Sequence, residues 1–167
     1  MIESSYKQLS LLSWTQNYYG LTFYPPYIPL MLKEHKLIET RPRQCNLKLP
    51  IKICLQTCSE STWKQVPRQE REFYQELAME FLGEWNPNWG CIEAVGDLTQ
   101  CIKMNEPYIQ MQSEKEKRLG RWEVGRVAWI IKDKITLPEP IKCRGSQTAP
   151  YKIPVEVAQQ INEMIHN

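Results

Sequence analysis

The residues best suited to chemistry in this chain lie together in the segment 36–41, whose sequence is KLIETR. If this segment is extended, its side chains alternate between two faces, so Glu39 and Arg41 share one face and Thr40 projects from the other. Lys36 stands where a preceding helix is expected to end, and its long side chain can reach the Glu39 side. A carboxylate between two cations leaves cationic donors for a phosphate, a base edge or a carbonyl oxygen. The segment therefore predicts a site for a polar or anionic ligand.

The same three side chains also have a purely structural interpretation. A Lys–Glu–Arg set is typical of an ion-pair network that only orients a strand, and the spacing alone does not separate this role from ligand binding. If the site is catalytic, Lys36 and Glu39 are the candidate residues. Glu39 would act as a general base on water if burial made its carboxylate more basic, whereas the two neighbouring cations make it less basic.

The sequence contains no convincing pattern for a metal or a cofactor. Cys54 and Cys58 have a workable spacing for one half of a zinc site, but Cys91 and Cys101 are separated by nine residues and do not supply the second half. A glycine-rich phosphate loop and a G-x-S-x-G motif are missing as well. We therefore expect neither a metal nor a cofactor.

The elements before the site are predicted to be a strand, an aromatic loop and a short helix. The strand is predicted at 7–14, and the turn-rich stretch 16–29, with its three prolines, is predicted to be a loop packed by its tyrosines. Pro29 also suits the first turn of a helix predicted at 28–35. That helix would lead directly into KLIETR.

After the site, the pattern changes from that of a strand to that of a helix. A half-buried strand is predicted at 49–57, where apolar and polar residues alternate. The stretch after Pro67 spaces apolar residues by four, at Phe73, Leu77 and Phe81. Glutamates lie between them, which is typical of an amphipathic surface helix, and Gly83 is a suitable C-terminal stop.

The C-terminal part is predicted to contain two more strands and a last helix. The strands are predicted at 88–102 and 126–137, because both stretches are rich in β-branched and aromatic residues. A charged connector, 112–125, lies between them and is expected to be exposed. A turn is predicted at 137–147, and the last helix begins after Pro154.

Length and composition fit a single folded domain spanning 1–167. The chain is 42% hydrophobic and 24% charged, values close to the average of globular proteins. No stretch approaches the roughly 18 apolar residues of a membrane span, and the N-terminus lacks the pattern of an export signal. We therefore expect a cytoplasmic protein that does not enter a membrane and whose six cysteines are reduced thiols.

The charges are distributed unevenly along the chain, although the formal net charge is only +2. Residues 1–50 hold six basic against three acidic residues, 51–100 hold four against eight, and 101–167 hold eleven against eight. A nucleic-acid partner is therefore expected to contact the two basic ends and to avoid the acidic segment 60–84.

KLIETR resembles the signature of the ASCH family, whose fold is a PUA-like β-barrel. The family motif is G-x-K-x-x-E-x-R, and it is matched here by Lys36, Glu39 and Arg41. Glu34 stands where the family has its glycine.

Three later pieces resemble the same family. Residues 55–58 (LQTC) are similar to its I-H-A-S strand, with Gln56 at the histidine position. Residues 90–96 (GCIEAVG) resemble its G-x-x-x-x-G strand, with one extra residue between the glycines. The most specific piece, 125–131 (GRVAWII) followed by 137–147 (LPEPIKCRGSQ), is similar to the family's G-R-y-A-W-l-l and l-P-x-P-I-p-x-R-G-x-Q.

The resemblance implies an α+β fold, a PUA-like small β-barrel with flanking helices, and a cleft that binds RNA or a modified nucleotide. It also implies that KLIETR has further neighbours in this cleft, namely Gln56, Thr57, Arg126, Trp129, Arg144 and Gln147. Trp129 would stack on a base, and Arg144 would pair with a phosphate. A core position for Trp129 is the other interpretation, because its strand is apolar on both faces.

The resemblance leaves open whether the cleft is catalytic. Some relatives with this barrel are amidohydrolases that act on acetylcytidine through a threonine nucleophile, but Glu39 occupies that position here. Other relatives have been assigned nuclease activity. The alternatives to a binding module are therefore a hydrolase acting on a modified nucleoside or on RNA, and a protein-binding adaptor that uses the aromatic segment 18–27.

Overall fold

The computed structural model describes residues 16–146 and 148–167. The strand predicted at 7–14 and the site candidate Gln147 lie outside the described residues. In chain order, the described elements are β1 (Tyr18–Phe23), α1 (Tyr27–Leu32), β2 (Glu39–Arg41), β3 (Ile51–Thr57), α2 (Glu60–Lys64), α3 (Arg68–Leu82), β4 (Cys91–Lys103), α4 (Glu106–Gln110), α5 (Glu114–Arg118), β5 (Val127–Lys142), β6 (Tyr151–Lys152) and α6 (Val155–His166).

The six strands form one curled sheet, a half-barrel flanked by helices, which gives a mixed α/β architecture. The order across the sheet is β2–β5–β4–β3–β1–β6. Neighbouring strands run antiparallel, except that β1 and β3 are parallel. This architecture is compatible with the predicted α+β class and its small barrel.

The strand β1 corrects the prediction of a loop at 16–29. It lies within the sheet between β3 and β6, and alternate residues pack into different apolar clusters. Leu21 and Phe23 join the main core, while Tyr18 joins a second cluster with α6. The aromatic residues of this stretch therefore belong to a strand that is covered on both faces. The predicted loop is reduced to the segment around the prolines that follow β1.

The strand β3 is buried more deeply than its alternating pattern predicted. Ile53 and Leu55 lie in the main core, and Cys54, on the other face, belongs to the second cluster. Gln56 and Thr57 are also buried, at 1% and 2% exposure. This burial places polar side chains at the end of β3 in the interior, where they need partners.

The strand β5 continues through the prolines that were predicted to form a turn. The six residues of β5 from Thr136 to Ile141 lie opposite only three residues of β4, from Ala94 to Ile92, so the pairing is interrupted there. The two prolines fall inside this irregular stretch, where their missing N–H groups break no ladder bond. The sheet therefore extends to Lys142, next to the loop that carries Arg144.

The two long helices agree with their predicted positions. The helix α3 ends at Gly83, whose φ of 73° is the left-handed conformation of a C-terminal cap. Its buried residues are Leu77 and Ala78, whereas Phe73, predicted on the buried face, is 38% exposed. The helix α6 buries Ala158 and Ile161.

The connector predicted to be exposed at 112–125 packs against the site instead. It contains α5, where Glu116 is 3% exposed, and it continues into Leu119, which is 0% exposed. Leu119 packs with Leu30 of α1 and Leu77 of α3 in a small cluster. The connector is thus part of the wall that holds KLIETR in place.

Within the described ranges, none of the helices is both long enough and apolar enough to span a membrane.

Candidate functional site

A cleft of about 480 Å³ opens beside KLIETR, between the sheet and the connector. Lys36, Glu39, Thr40 and Arg41 all line it. A second cavity of about 550 Å³ adjoins the cleft, because the two share four lining residues, Thr22, Cys58, Thr62 and Ser146. Each volume lies in the range of roughly 300–1,000 Å³ that is usual for ligand sites.

Glu39 and Arg41 project to the same side of β2, as the alternation argument predicted. Arg41 Nε lies 2.9 Å from Glu39 Oε1, in an ion pair that lacks the alignment of a hydrogen bond. Arg41 Nη2 donates a hydrogen bond of 2.8 Å to the Thr22 carbonyl oxygen. The guanidinium also lies 5.1 Å from the centre of the Phe23 ring. Arg41 is thus held by a carboxylate, a carbonyl and an aromatic face.

Lys36 is the most deeply buried member of the motif, at 1% exposure. Its Nζ donates hydrogen bonds of 2.7 Å to the carbonyl oxygens of Ile38 and Leu119, and it lies 3.7 Å from Glu39 Oε2. Burial lowers the pKa of the Lys36 ammonium, while Glu39 and Glu116 act in the opposite direction. The ammonium joins the connector to the start of β2.

The buried carboxylate of Glu116 holds the backbone of the motif from the other side. Its Oε2 accepts a hydrogen bond of 2.9 Å from Leu37 N, and its Oε1 accepts one of 2.9 Å from Ile38 N. Sequence reasoning missed this contact. The S-x-x-E spacing of Ser113 and Glu116 indicates the start of a helix, and Ser113 does cap α5. It does not reveal a partner almost 80 positions away.

Two more arginines lie at the edge of the cleft. Arg126, a predicted site residue, donates from Nη2 to the Thr40 carbonyl oxygen at 3.3 Å and from Nε to the Arg121 carbonyl oxygen at 3.2 Å. Burial lowers the pKa of the Arg126 guanidinium, and the like charges of Arg121 and Arg41 act in the same direction. Thr40 was predicted to face away from the cleft, but it lines the cleft as well. Its Oγ1 accepts a hydrogen bond of 3.0 Å from the backbone N–H of Arg121.

The charge balance of the cleft is positive among the described residues that line it. Lys36, Arg41, Arg121 and Arg126 face a single carboxylate, that of Glu39. Cations gathered in a concave surface raise the local concentration of anions. The cleft is therefore suited to an anionic ligand.

One wall of the cleft is aromatic. Phe23, Tyr24, Tyr27 and Tyr74 line it. The rings of Tyr24 and Tyr74 stack at 5.9 Å with 30° between their planes, and Tyr24 is 38% exposed. Burial raises the pKa of Tyr74, so its ring stays neutral. The wall offers a surface on which a planar ligand can stack.

Trp129, the stacking residue implied by the resemblance, lies in the main core at 1% exposure. Its Nε1 donates a hydrogen bond of 3.0 Å to the Arg43 carbonyl oxygen. It is not among the residues that line the cleft or the second cavity. This is the core position that the apolar faces of its strand indicated, and the exposed stacking surface belongs to the tyrosines.

Three other predicted residues line the second cavity, namely Gln56, Thr57 and Arg144. Arg144 is exposed. Thr57 Oγ1 donates a hydrogen bond to Glu93 Oε2, and Glu93 Oε1 accepts a hydrogen bond of 2.7 Å from Asn88. Lys142, which the sequence did not single out, lies there as well and donates to the Trp89 carbonyl oxygen at 3.0 Å.

The remaining candidates have other surroundings. Within the described residues there is no group of three or more His, Cys, Asp or Glu side chains that could hold a metal ion. Burial raises the pKa of the Cys58 thiol to about 11. In the aromatic segment 18–27, Tyr18 and Phe23 are each 3% exposed. Tyr24 is its most exposed aromatic side chain and already faces the cleft.

The chain matches no protein-family model and no curated protein at a significant level.

Proposed function

We propose that the chain is an ASCH-type domain of the PUA-like group, whose cleft around KLIETR binds RNA or a modified nucleotide. The half-barrel with its flanking helices is compatible with such a fold. The four pieces of sequence similarity support the family assignment, and the chemistry of the cleft supports the ligand class.

The observation that carries the proposal is the arrangement of Arg41. Its guanidinium is fixed by Glu39, by the Thr22 carbonyl and by the Phe23 ring, yet its side chain remains 21% exposed and lines the cleft. A cation fixed in this way loses little conformational entropy when a ligand binds. Arg41 therefore presents a preorganised cation to a ligand in the cleft.

The surroundings of Arg41 suit the two parts of a nucleotide. The bases of single-stranded RNA stack on aromatic side chains, and their phosphates pair with Arg and Lys. The cleft provides stacked tyrosines on one wall and further arginines at its edge. Both kinds of contact are therefore available within one cavity.

The proposal is tested by measuring the binding of fluorescently labelled single-stranded RNA by anisotropy. Arg41→Gln is expected to weaken binding about tenfold, which corresponds to about 1.4 kcal/mol. Arg68→Gln is the matched control, because the Arg68 side chain is 84% exposed on α3 and does not line the cleft. Circular dichroism checks that both variants fold. Equal binding by wild type and Arg41→Gln would place the site elsewhere, and no binding by wild type would refute the RNA-binding function.

A hydrolase acting on the same ligands is the second candidate function. The observation that favours it is the contact of Lys36 with Glu39, because burial lowers the pKa of Lys36 and so increases the share of neutral amine that can accept a proton. Incubation with acetylcytidine and with RNA, followed by chromatography, tests it. Turnover by wild type and Arg68→Gln that is lost in Glu39→Gln would establish catalysis. An absence of product with both substrates would rule out these two activities.

A further inference from the structure

The second cavity is chemically different from the cleft beside it. Its side chains include several hydroxyl groups, and none of the described residues that line it is aromatic. The hydroxyl-bearing residues are Thr22, Thr57, Ser59, Thr62 and Ser146. Two cations, Lys142 and Arg144, also line it. Such a surface suits a ligand group that both donates and accepts hydrogen bonds.

Gln56 contributes a buried acceptor that has no donor within the described residues. The residue is 1% exposed, and its Oε1 has no hydrogen-bond partner. The orientation of the amide is fixed, because Nε2 donates to the carbonyl oxygen of Cys143 and lies 3.5 Å from that of Gly90. A flipped amide would place its oxygen against two carbonyl oxygens. An unpaired buried acceptor is costly, so a bound group that donates to it is favoured.

The space in front of this acceptor is kept open by Gly145. A Cβ atom at this position would lie 3.2 Å from Gln56 Oε1 and 3.0 Å from Thr22 Oγ1. Thr22 and Gln56 are also register partners on the neighbouring strands β1 and β3. The acceptor, the hydroxyl and the glycine therefore surround one small space in the second cavity.

We infer that the second cavity holds a ribose of the bound nucleotide and that the ribose 2′-hydroxyl enters this small space, where it donates a hydrogen bond to Gln56 Oε1. The inference rests on the proposed function and specifies its ligand as ribonucleotide. Within a polynucleotide the 3′ and 5′ oxygens are esterified, so the 2′-hydroxyl is the free hydroxyl of each internal sugar. The two cations disfavour an ammonium donor. No aromatic side chain lines the cavity among the described residues, which disfavours a base. The shared residues connect this sugar position to the tyrosine wall of the cleft.

The test compares an RNA of about ten nucleotides with its 2′-deoxy counterpart, in which deoxyuridine replaces uridine, so that the two differ only in the 2′-hydroxyl groups. Anisotropy titrations with wild type are expected to give about tenfold tighter binding of the RNA. Gln56→Met is expected to remove this preference by weakening RNA binding alone. The matched control, Gln75→Met, changes an exposed glutamine of α3 and is expected to keep it.

Gly145→Ala provides a second variant, since Gln56→Met also removes the amide that bonds to Cys143 and Gly90. The added methyl group crowds the space before Oε1 and leaves the Nε2 contacts intact, so the same loss of preference is expected. Equal binding of both oligonucleotides by wild type would overturn the inference and leave the proposed function standing. An unchanged preference in Gly145→Ala would show that another residue reads the sugar. Failure of wild type to bind either oligonucleotide would overturn the proposed function itself.

Discussion

The charge of Lys36 is stabilised mainly by backbone oxygen atoms. Two carbonyl oxygens lie 2.7 Å from its Nζ, whereas the Glu39 carboxylate is 3.7 Å away. Glu39 makes its closer ion pair with Arg41, at 2.9 Å. The three charged residues therefore have different roles. Lys36 holds the connector against the start of β2, and Glu39 orients Arg41, which faces the cleft.

Replacing the buried lysine should destabilise the protein. Lys36→Met keeps an unbranched side chain of similar length but leaves the carbonyl oxygens of Ile38 and Leu119 without their donor. We expect the free energy of unfolding to fall by roughly 3 kcal/mol, measured by urea denaturation. Lys33→Met, which changes an exposed lysine just after α1, is the control and should have little effect. If Lys36→Met had the same free energy of unfolding as wild type, the structural role of Lys36 would be contradicted.

The difference in unfolding free energy between wild type and Lys36→Met should depend on pH. Burial lowers the pKa of Lys36 below its ordinary value of 10.5, so the unfolded chain binds more protons than the folded one between the two pKa values. Stability rises with pH where the unfolded state binds more protons. The unfolding free energy of wild type minus that of Lys36→Met should therefore increase as the pH approaches 10.5. A flat or falling difference would show that the pKa is not lowered.

Local sequence predicted the shared direction of Glu39 and Arg41 in KLIETR, but neither the position of Thr40 at the cleft nor the partners of the motif. Glu39 and Arg41 face the same way because alternation is a property of any extended segment. The oxygen atoms around the motif come from Glu116 and Leu119, which are brought there by the path of the connector. Their positions in a charged stretch indicated solvent exposure. Only the folded chain shows that one carboxylate turns inward.

At the level of elements, the strands predicted wrongly are those that depend on distant pairing. The aromatic stretch around β1 has turn-forming prolines at one end, but parallel pairing with β3 makes its first half a strand. The prolines of β5 indicated a turn, yet an irregular register with β4 accommodates them. The helices α3 and α6 were predicted well, because their periodicity and end residues are contained within each helix.

The connector is expected to lose its hold on β2 when Glu116 is altered. In Glu116→Gln, one carboxylate oxygen becomes an amide that faces a backbone N–H of Leu37 or Ile38, so one hydrogen bond is lost. We expect a loss of about 2 kcal/mol in unfolding free energy and faster hydrogen–deuterium exchange in residues 36–41.

Glu114→Gln is a control on the same helix, because the Glu114 side chain is 92% exposed. It should leave both the exchange rates and the stability close to those of wild type. If Glu116→Gln and Glu114→Gln gave the same exchange in residues 36–41, the connector would not be what fixes this strand.

For the molecule as a whole, the position of the charges matters more than their sum. The net charge is only +2, and the exposed glutamates of α3 balance many of the basic residues. Among the residues that the structure describes, folding gathers four cations around one carboxylate in the cleft, and the second cavity adds Lys142 and Arg144. The sequence predicted basic ends and an acidic middle. Which of these charged residues meet around one cavity depends on the curvature of the sheet.

The proposed binding of RNA should accordingly be sensitive to salt, although less so than for a strongly basic protein. Each phosphate contact with a single strand contributes about −0.7 to the slope of log K against log salt concentration, so contacts from the three arginines that line the cleft, Arg41, Arg121 and Arg126, predict a slope of about −2. Arg126→Gln should reduce the magnitude of this slope by about 0.7. Arg68→Gln should leave the slope unchanged, because Arg68 does not line the cleft. A slope near zero in wild type would mean that the cleft cations do not contact phosphates, and the ligand would then have to be sought among uncharged molecules that stack on the tyrosine wall.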